Sequence, residues 1–166
     1  MSMIGEYFRV TAAELERATR DPDWAFDYID ETQDAVDGSE PSPAEARHFS
    51  TYQAWHLLGF LLERRGFPVD VIYGEEPLGK AEDWGYGPPQ YLPADRVRLG
   101  AEALSRLTYD QLISDVDPRD LVTAEIYPLG WEDRASLEWG RDWFAGLTEY
   151  FAAAAEEGHA VIVWLD

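Results

Sequence analysis

The chain has 166 residues, of which 46% are apolar and 14% aromatic, enough to fill the core of one domain. Its 33 acidic and 13 basic side chains leave a formal net charge of −20. That field repels phosphate backbones and anionic lipid head groups, so no nucleic acid and no membrane partner is expected, whereas a basic protein or a small molecule is. The absence of cysteine excludes disulfides, thiolate metal sites and a cysteine nucleophile.

The opening, "MSMIGEYFRV", lacks the charged and apolar regions of a signal peptide. No apolar run approaches the roughly 20 residues of a membrane span, and a cytoplasmic protein is the expectation. Met3 to Val10 alternates and is rich in aromatic and β-branched residues, which predicts a strand. Thr11 and Glu14 then have the spacing of a capping box, opening a helix from Ala12 to about Thr19. Pro22 breaks it, and "DWAFDYID" predicts a second short helix. Residues 30–43 read as an exposed acidic loop, with Asp30, Asp34 and Asp37 as solvated carboxylates because the spacing of a calcium loop is absent.

Ser42 as N-cap, Pro43 in the first turn and Gly66 as terminator predict one helix from about residue 43 to Arg65. Its centre, "AWHLLGFLL", is apolar nearly all round and should lie inside the domain. "VDVIY" over 69–73 predicts a short strand. A helix follows from Pro93 or Ala94 to about Leu107, then two short ones opened by Thr108 and Asp117. The last helix is expected over 133–157, with Trp139, Trp143, Leu147, Tyr150 and Ala154 on its core face and Phe144 and Phe151 beside it. "HAVIVWLD" should close the chain as a strand.

Chemistry is sparse. His56 has Tyr52 and Phe60 one helical turn away on either side; His48 reads as a solvated helix residue and His159 as the start of the last strand. Two Glu-x-x-His pairs, Glu45/His48 and Glu156/His159, do not build a di-metal site, because Gly158 ends the helix before the second histidine. No metal site and no cofactor is expected. Phosphate-binding glycine loops and the G-x-S-x-G nucleophile turn are absent. Trp84, Tyr86, Tyr91, Tyr127 and Trp131 sit in or beside Gly/Pro-rich turns, where rings either pack as lids or face a ligand.

Taken in order, "MIGEYFRVT", "AWHLLGFLL", "GEEPLG", "DWGYGPPQYL", "IYPLGW" and "YFAAAAEEGHAVIVWLD" resemble the YfbM-like family, a bacterial family of unknown function. The resemblance spans nearly the whole chain. It implies a single cytoplasmic α+β domain and carries no activity with it. Around the buried helix the family pattern is similar to D-K-x-W-H-x-x-H-F-L-L. Trp55 and His56 match it, Tyr52 and Gln53 replace the acid–lysine pair, and Gly59 replaces the second histidine. Gln90 stands where an arginine is usual.

The fold expected is therefore α+β, one domain over residues 1–166, with a small sheet joining the N- and C-terminal strands under five or six α-helices. The function expected is non-catalytic binding of a ligand or protein in an aromatic-lined cleft formed by Trp55, His56, Trp84, Tyr86, Tyr91, Tyr127 and Trp131. One alternative is a hydrolase-like enzyme with His56 as general acid or base, oriented by Glu125 or Asp83 and assisted by Tyr86. Another is an immunity-type protein that neutralises a basic toxin.

Overall fold

Two strands from distant parts of the sequence lie side by side at the centre of the structure, a computed structural model that describes residues 2–36 and 38–166. β1 (Gly5–Val10) pairs antiparallel with β5 (Ala160–Leu165) along its whole length, Gly5 facing Leu165 and Val10 facing Ala160. β2 (His48–Tyr52) flanks β1; β4 (Gln90–Leu92) flanks β5, and β3 (Glu76–Pro77) completes the order β2-β1-β5-β4-β3. Every pairing is antiparallel.

Both faces of the central pair are buried, and strict alternation sorts their side chains. Tyr7, Val161 and Val163 point to one core; Phe8, Val10, Ile162 and Trp164 point to the other. The first core is covered by α3 (Trp55–Arg64), α4 (Ala94–Ser105), α5 (Tyr109–Ile113), α6 (Pro118–Thr123) and α7 (Arg141–Glu156). The second lies under α1 (Ala12–Arg20) and α2 (Pro22–Ala35). The result is one α+β domain with seven α-helices among the described residues. No helix among them is long and apolar enough to cross a membrane.

The local start signals act where the sequence places them. The Thr11 hydroxyl accepts from the Glu14 N–H at 3.2 Å while Glu14 Oε1 accepts from the Thr11 N–H at 2.9 Å. The same reciprocal pair joins Thr108 and Gln111, and Asp117 caps α6.

Four segments differ from expectation. α2 runs on to Ala35, into the segment read as an acidic loop; Asp37 lies outside the described residues. The helix expected from residue 43 is a single turn, in which the Ser42 carbonyl accepts from the Glu45 and Ala46 N–H groups. Arg47 then leads into β2, so His48 belongs to a strand and α3 starts only at Trp55. The alternating "HFSTY" finds a free edge on β1, and pairing there outweighs the helix-start signals upstream. Residues 69–73 form a turn instead of a strand, because Asp70 Oδ1 accepts from the N–H groups of Ile72 (3.2 Å) and Tyr73 (2.9 Å).

Finally, the last helix is preceded by a 3₁₀ segment, Arg134–Gly140, which holds Trp139, and its core face is centred on the Phe144/Phe151 side of the expected stripe. Phe144, Leu147, Tyr150, Phe151 and Ala154 are buried. Trp139 is substantially exposed, and Trp143 is half-buried, stacked on Tyr52 with ring centroids 5.9 Å apart. Where α7 meets β2, Gly146 makes room for the Phe49 ring; a Cβ there would sit 2.9 Å from Phe49 Cε1.

This placement of the core face is testable by urea unfolding. Leu147→Ala, at a fully buried site, is expected to cost about 2–5 kcal/mol. Trp143→Ala is expected to cost clearly less, although it deletes the larger side chain. The reverse ranking would show that α7 presents a different face.

Candidate functional site

The buried side of α3 carries Trp55, Leu57, Leu58, Leu61 and Leu62. Its remaining side carries His56, Gly59, Phe60 and Glu63, which share a helical face by their spacing. These four line a cleft of about 350 Å³, closed on the far side by Phe67, by Val69–Tyr73 and by Ile126. Gly59 contributes no side chain to the floor.

The far wall is held from several directions. The Tyr7 hydroxyl, on β1, donates to the Val71 carbonyl at 2.7 Å. The Asp70 N–H donates to Glu75 Oε2 at 3.3 Å, and Arg96 clamps that carboxylate at 2.7 and 2.9 Å. Glu63 and Asp70 form no salt bridge among the described residues. Burial, then the charges of Asp70 and Glu63, push the Tyr73 hydroxyl pKa up. The cleft is thus apolar at its floor and negative at its mouth.

His56 is half-buried, and its Nδ1 accepts a hydrogen bond from the backbone N–H of Tyr127 at 2.8 Å. A nitrogen that accepts carries no proton, so the neutral ring carries its proton on Nε2. Protonating Nδ1 would set two donors against each other, and burial further lowers the pKa of His56. The ring is fixed in place by its neighbours. Trp55 lies 4.9 Å away at 10° and stacks on Tyr127 at 5.8 Å. Trp55 Nε1–H donates to the Met3 carbonyl at 2.9 Å, and the Met3 N–H donates to the Tyr127 hydroxyl oxygen at 3.0 Å. The Tyr127–Pro128 peptide is cis.

The aromatic residues expected to form one surface lie in three places. Trp55, His56 and Tyr127 are together. Trp131 is close to them through the Ile126 carbonyl, to which its Nε1–H donates at 2.9 Å, but it is buried. Trp84 and Tyr91 pack against the second core, across the sheet from His56. Tyr86 is exposed where the loop meets the end of β5, its N–H bonded to the Leu165 carbonyl at 2.9 Å.

Of the expected orienting carboxylates, Asp83 precedes Trp84 on that opposite side, and Glu125 is an exposed residue with φ 54° after α6. Neither bonds His56. Among the other histidines, His48 Nε2 meets the Glu6 carboxylate across β1 and β2. His159 has a buried Nδ1 with no partner among the described residues; burial, then the charges of Arg9 and Arg47, lower its pKa.

Phe60, Glu63, Asp70 and Tyr73 were missed by the sequence reading. The first two were within reach, since they follow His56 at helical spacings of four and seven. Asp70 and Tyr73 were not, because their approach depends on the turn that replaced the expected strand.

Residues 1–164 match the family described as a domain of unknown function, DUF1877. The fold is similar to the crystal structure of a protein of unknown function, YfbM from Escherichia coli, with a TM-score of 0.63 at 16% identity over 98% of this chain and 99% of that one. No curated protein matches the chain.

The histidine geometry gives two expectations. In ¹⁵N NMR, His56 should show the Nε2–H tautomer and titrate below the usual histidine range. Because its folded pKa is depressed, the stability linked to its neutrality is present above about pH 6.5 and is lost as pH falls through the folded value. His56→Ala leaves the Tyr127 N–H unpaired and should cost about 1–3 kcal/mol by chemical denaturation.

Proposed function

The chain belongs to the DUF1877 family of domains of unknown function, and for this member we propose a non-catalytic binding function in which the His56 cleft takes a small, uncharged polar molecule with an apolar body. The observation that carries it is the hydrogen bond from the Tyr127 N–H to His56 Nδ1. It commits the lone pair of the ring and leaves Nε2–H as the group His56 offers to a ligand. A fixed neutral donor recognises a carbonyl or hydroxyl oxygen.

The rest of the lining sets the ligand's character. Phe60, Val71 and Ile72 supply apolar contact, while Glu63 and Asp70 disfavour an anion. A volume near 350 Å³ suits a metabolite rather than a peptide. In the hydrolase-like alternative, with His56 as general acid or base, the pinned tautomer puts a proton on Nε2 and disfavours the base role there. The immunity-type alternative, a basic protein partner, draws on the net charge of −20 and on the acidic cleft mouth; no feature of the cleft calls for a whole protein. A cytoplasmic location accords with these readings.

Ligand-observed NMR with a set of neutral amide- and hydroxyl-bearing fragments tests the assignment. Fragments should bind the wild-type protein and shift the His56 ring signals, and their carboxylate analogues should not. His56→Phe keeps a ring but removes the donor, and should weaken binding about three- to tenfold. Equal binding by that variant, or preference for the carboxylates, would remove His56 from the site. Slow turnover of a bound amide or ester, abolished in His56→Phe, would instead favour an enzyme.

A further inference from the structure

On the opposite side of the sheet, α2, β1, β5 and the loop around Trp84 enclose a second cavity of about 200 Å³. Its apolar walls are three rings and the side chain of Ile29. Trp84 meets Trp164 at 5.4 Å and 81°, and Phe26 meets Trp84 at 5.5 Å and 72°. The inside corner of such a T is bounded by the face of one ring and the face of the other, so a guest seated there contacts aromatic faces rather than edges. Aromatic faces carry the negative end of the ring quadrupole.

The polar lining has one sign. Glu6, Asp30 and Asp166 border the cavity, and no lysine or arginine does among the described residues. Glu6 is already engaged by His48, whereas Asp30 forms no salt bridge among the described residues. Trp84 and Trp164 are 8% and 9% exposed. Neither indole N–H donates within the described residues, and neither is sealed from the cavity or solvent.

We propose that this corner of Phe26, Trp84 and Trp164 binds a quaternary ammonium head group, with Asp30 and Asp166 balancing its charge. Ring faces attract a cation without forming hydrogen bonds to it. A methylated ammonium has no N–H to satisfy and can leave water for such walls. A primary ammonium needs acceptors that the rings do not supply. The site is independent of the His56 cleft, which lies on the other face of the sheet.

The test compares choline, ethanolamine and the neutral tert-butyl analogue of choline, by calorimetry and by the indole N–H signals of Trp84 and Trp164. Choline should bind tightest and move those two signals without moving His56. Phe26→Ala removes a half-exposed wall without opening the core, and should weaken choline roughly two- to fivefold. Asp30→Asn should weaken it while leaving the tert-butyl analogue unaffected.

Trimethyllysine amide distinguishes the source of the head group: tighter binding than choline assigns it to a protein side chain, weaker binding to a free solute. Three results would overturn the site: ethanolamine or the neutral analogue matching choline, an unchanged affinity in Phe26→Ala, or signal shifts no larger than those from equal sodium chloride.

Discussion

The antiparallel pairing of β1 with β5 is the constraint that the remaining structure obeys. It joins residues near the two ends of the sequence, and hydrogen bonds between Ile4 and Asp166, both at 2.8 Å, extend it past the strands proper. Every element from residue 11 to residue 159 is therefore an excursion that must return to this pair. The return is made by α7, whose last turn is closed by the His159 N–H donating to the Ala154 carbonyl at 2.9 Å, with Gly158 in the left-handed region at φ 70°. Long-range pairing of this kind carries a loop-closure cost that burial of both strand faces offsets.

Burying both faces makes the sheet a partition. Alternation sends Tyr7 one way and Phe8 the other, so helices must cover each side, and each side acquires its own cavity. The His56 cleft is tied to the partition through the hydroxyl of Tyr7, which reaches the cleft wall, and through Trp55, which bonds the backbone just before β1. The aromatic corner is made from the partition itself, since Trp164 belongs to β5. The two cavities have no lining residue in common.

The charge of the protein is handled locally. Arg47 places its guanidinium 4.7 Å from the Phe8 ring centre and bonds the Glu14 carboxylate at 2.6 Å and the Tyr28 hydroxyl at 2.7 Å. Burial works to raise the pKa of Glu14, but the Thr11 amide, the Tyr28 hydroxyl and Arg47 outweigh it and hold the carboxyl at about 2. Most other ion pairs are solvent-exposed and contribute little individually. The negative field is left for the cavities to use. Each is bordered by carboxylates, and in the His56 cleft the neutral Nε2–H donor stands out against them.

Much of the local structure was legible in the sequence. Thr11, Thr108 and Asp117 announce their helices because capping is a matter of a few adjacent residues. β5 is legible because two buried faces require apolar residues at every position, and β1 because it alternates and is rich in aromatic and β-branched residues. The apolar stretch at 54–62 marked the helix beside the cleft, and Phe60 and Glu63 were readable from His56 by spacing alone. Other features required the tertiary structure. β2 became a strand because β1 offered an unpaired edge, residues 69–73 turned because Asp70 captured two backbone amides, and Trp139 and Trp143 were left at the rim of the core when a 3₁₀ segment took the place of the first turns of the expected helix. The aromatic residues read as one surface are distributed by the sheet between its two sides. Periodicity states which side chains of one element share a face; it carries no information about which other element that face will meet, and a binding site is defined by that meeting.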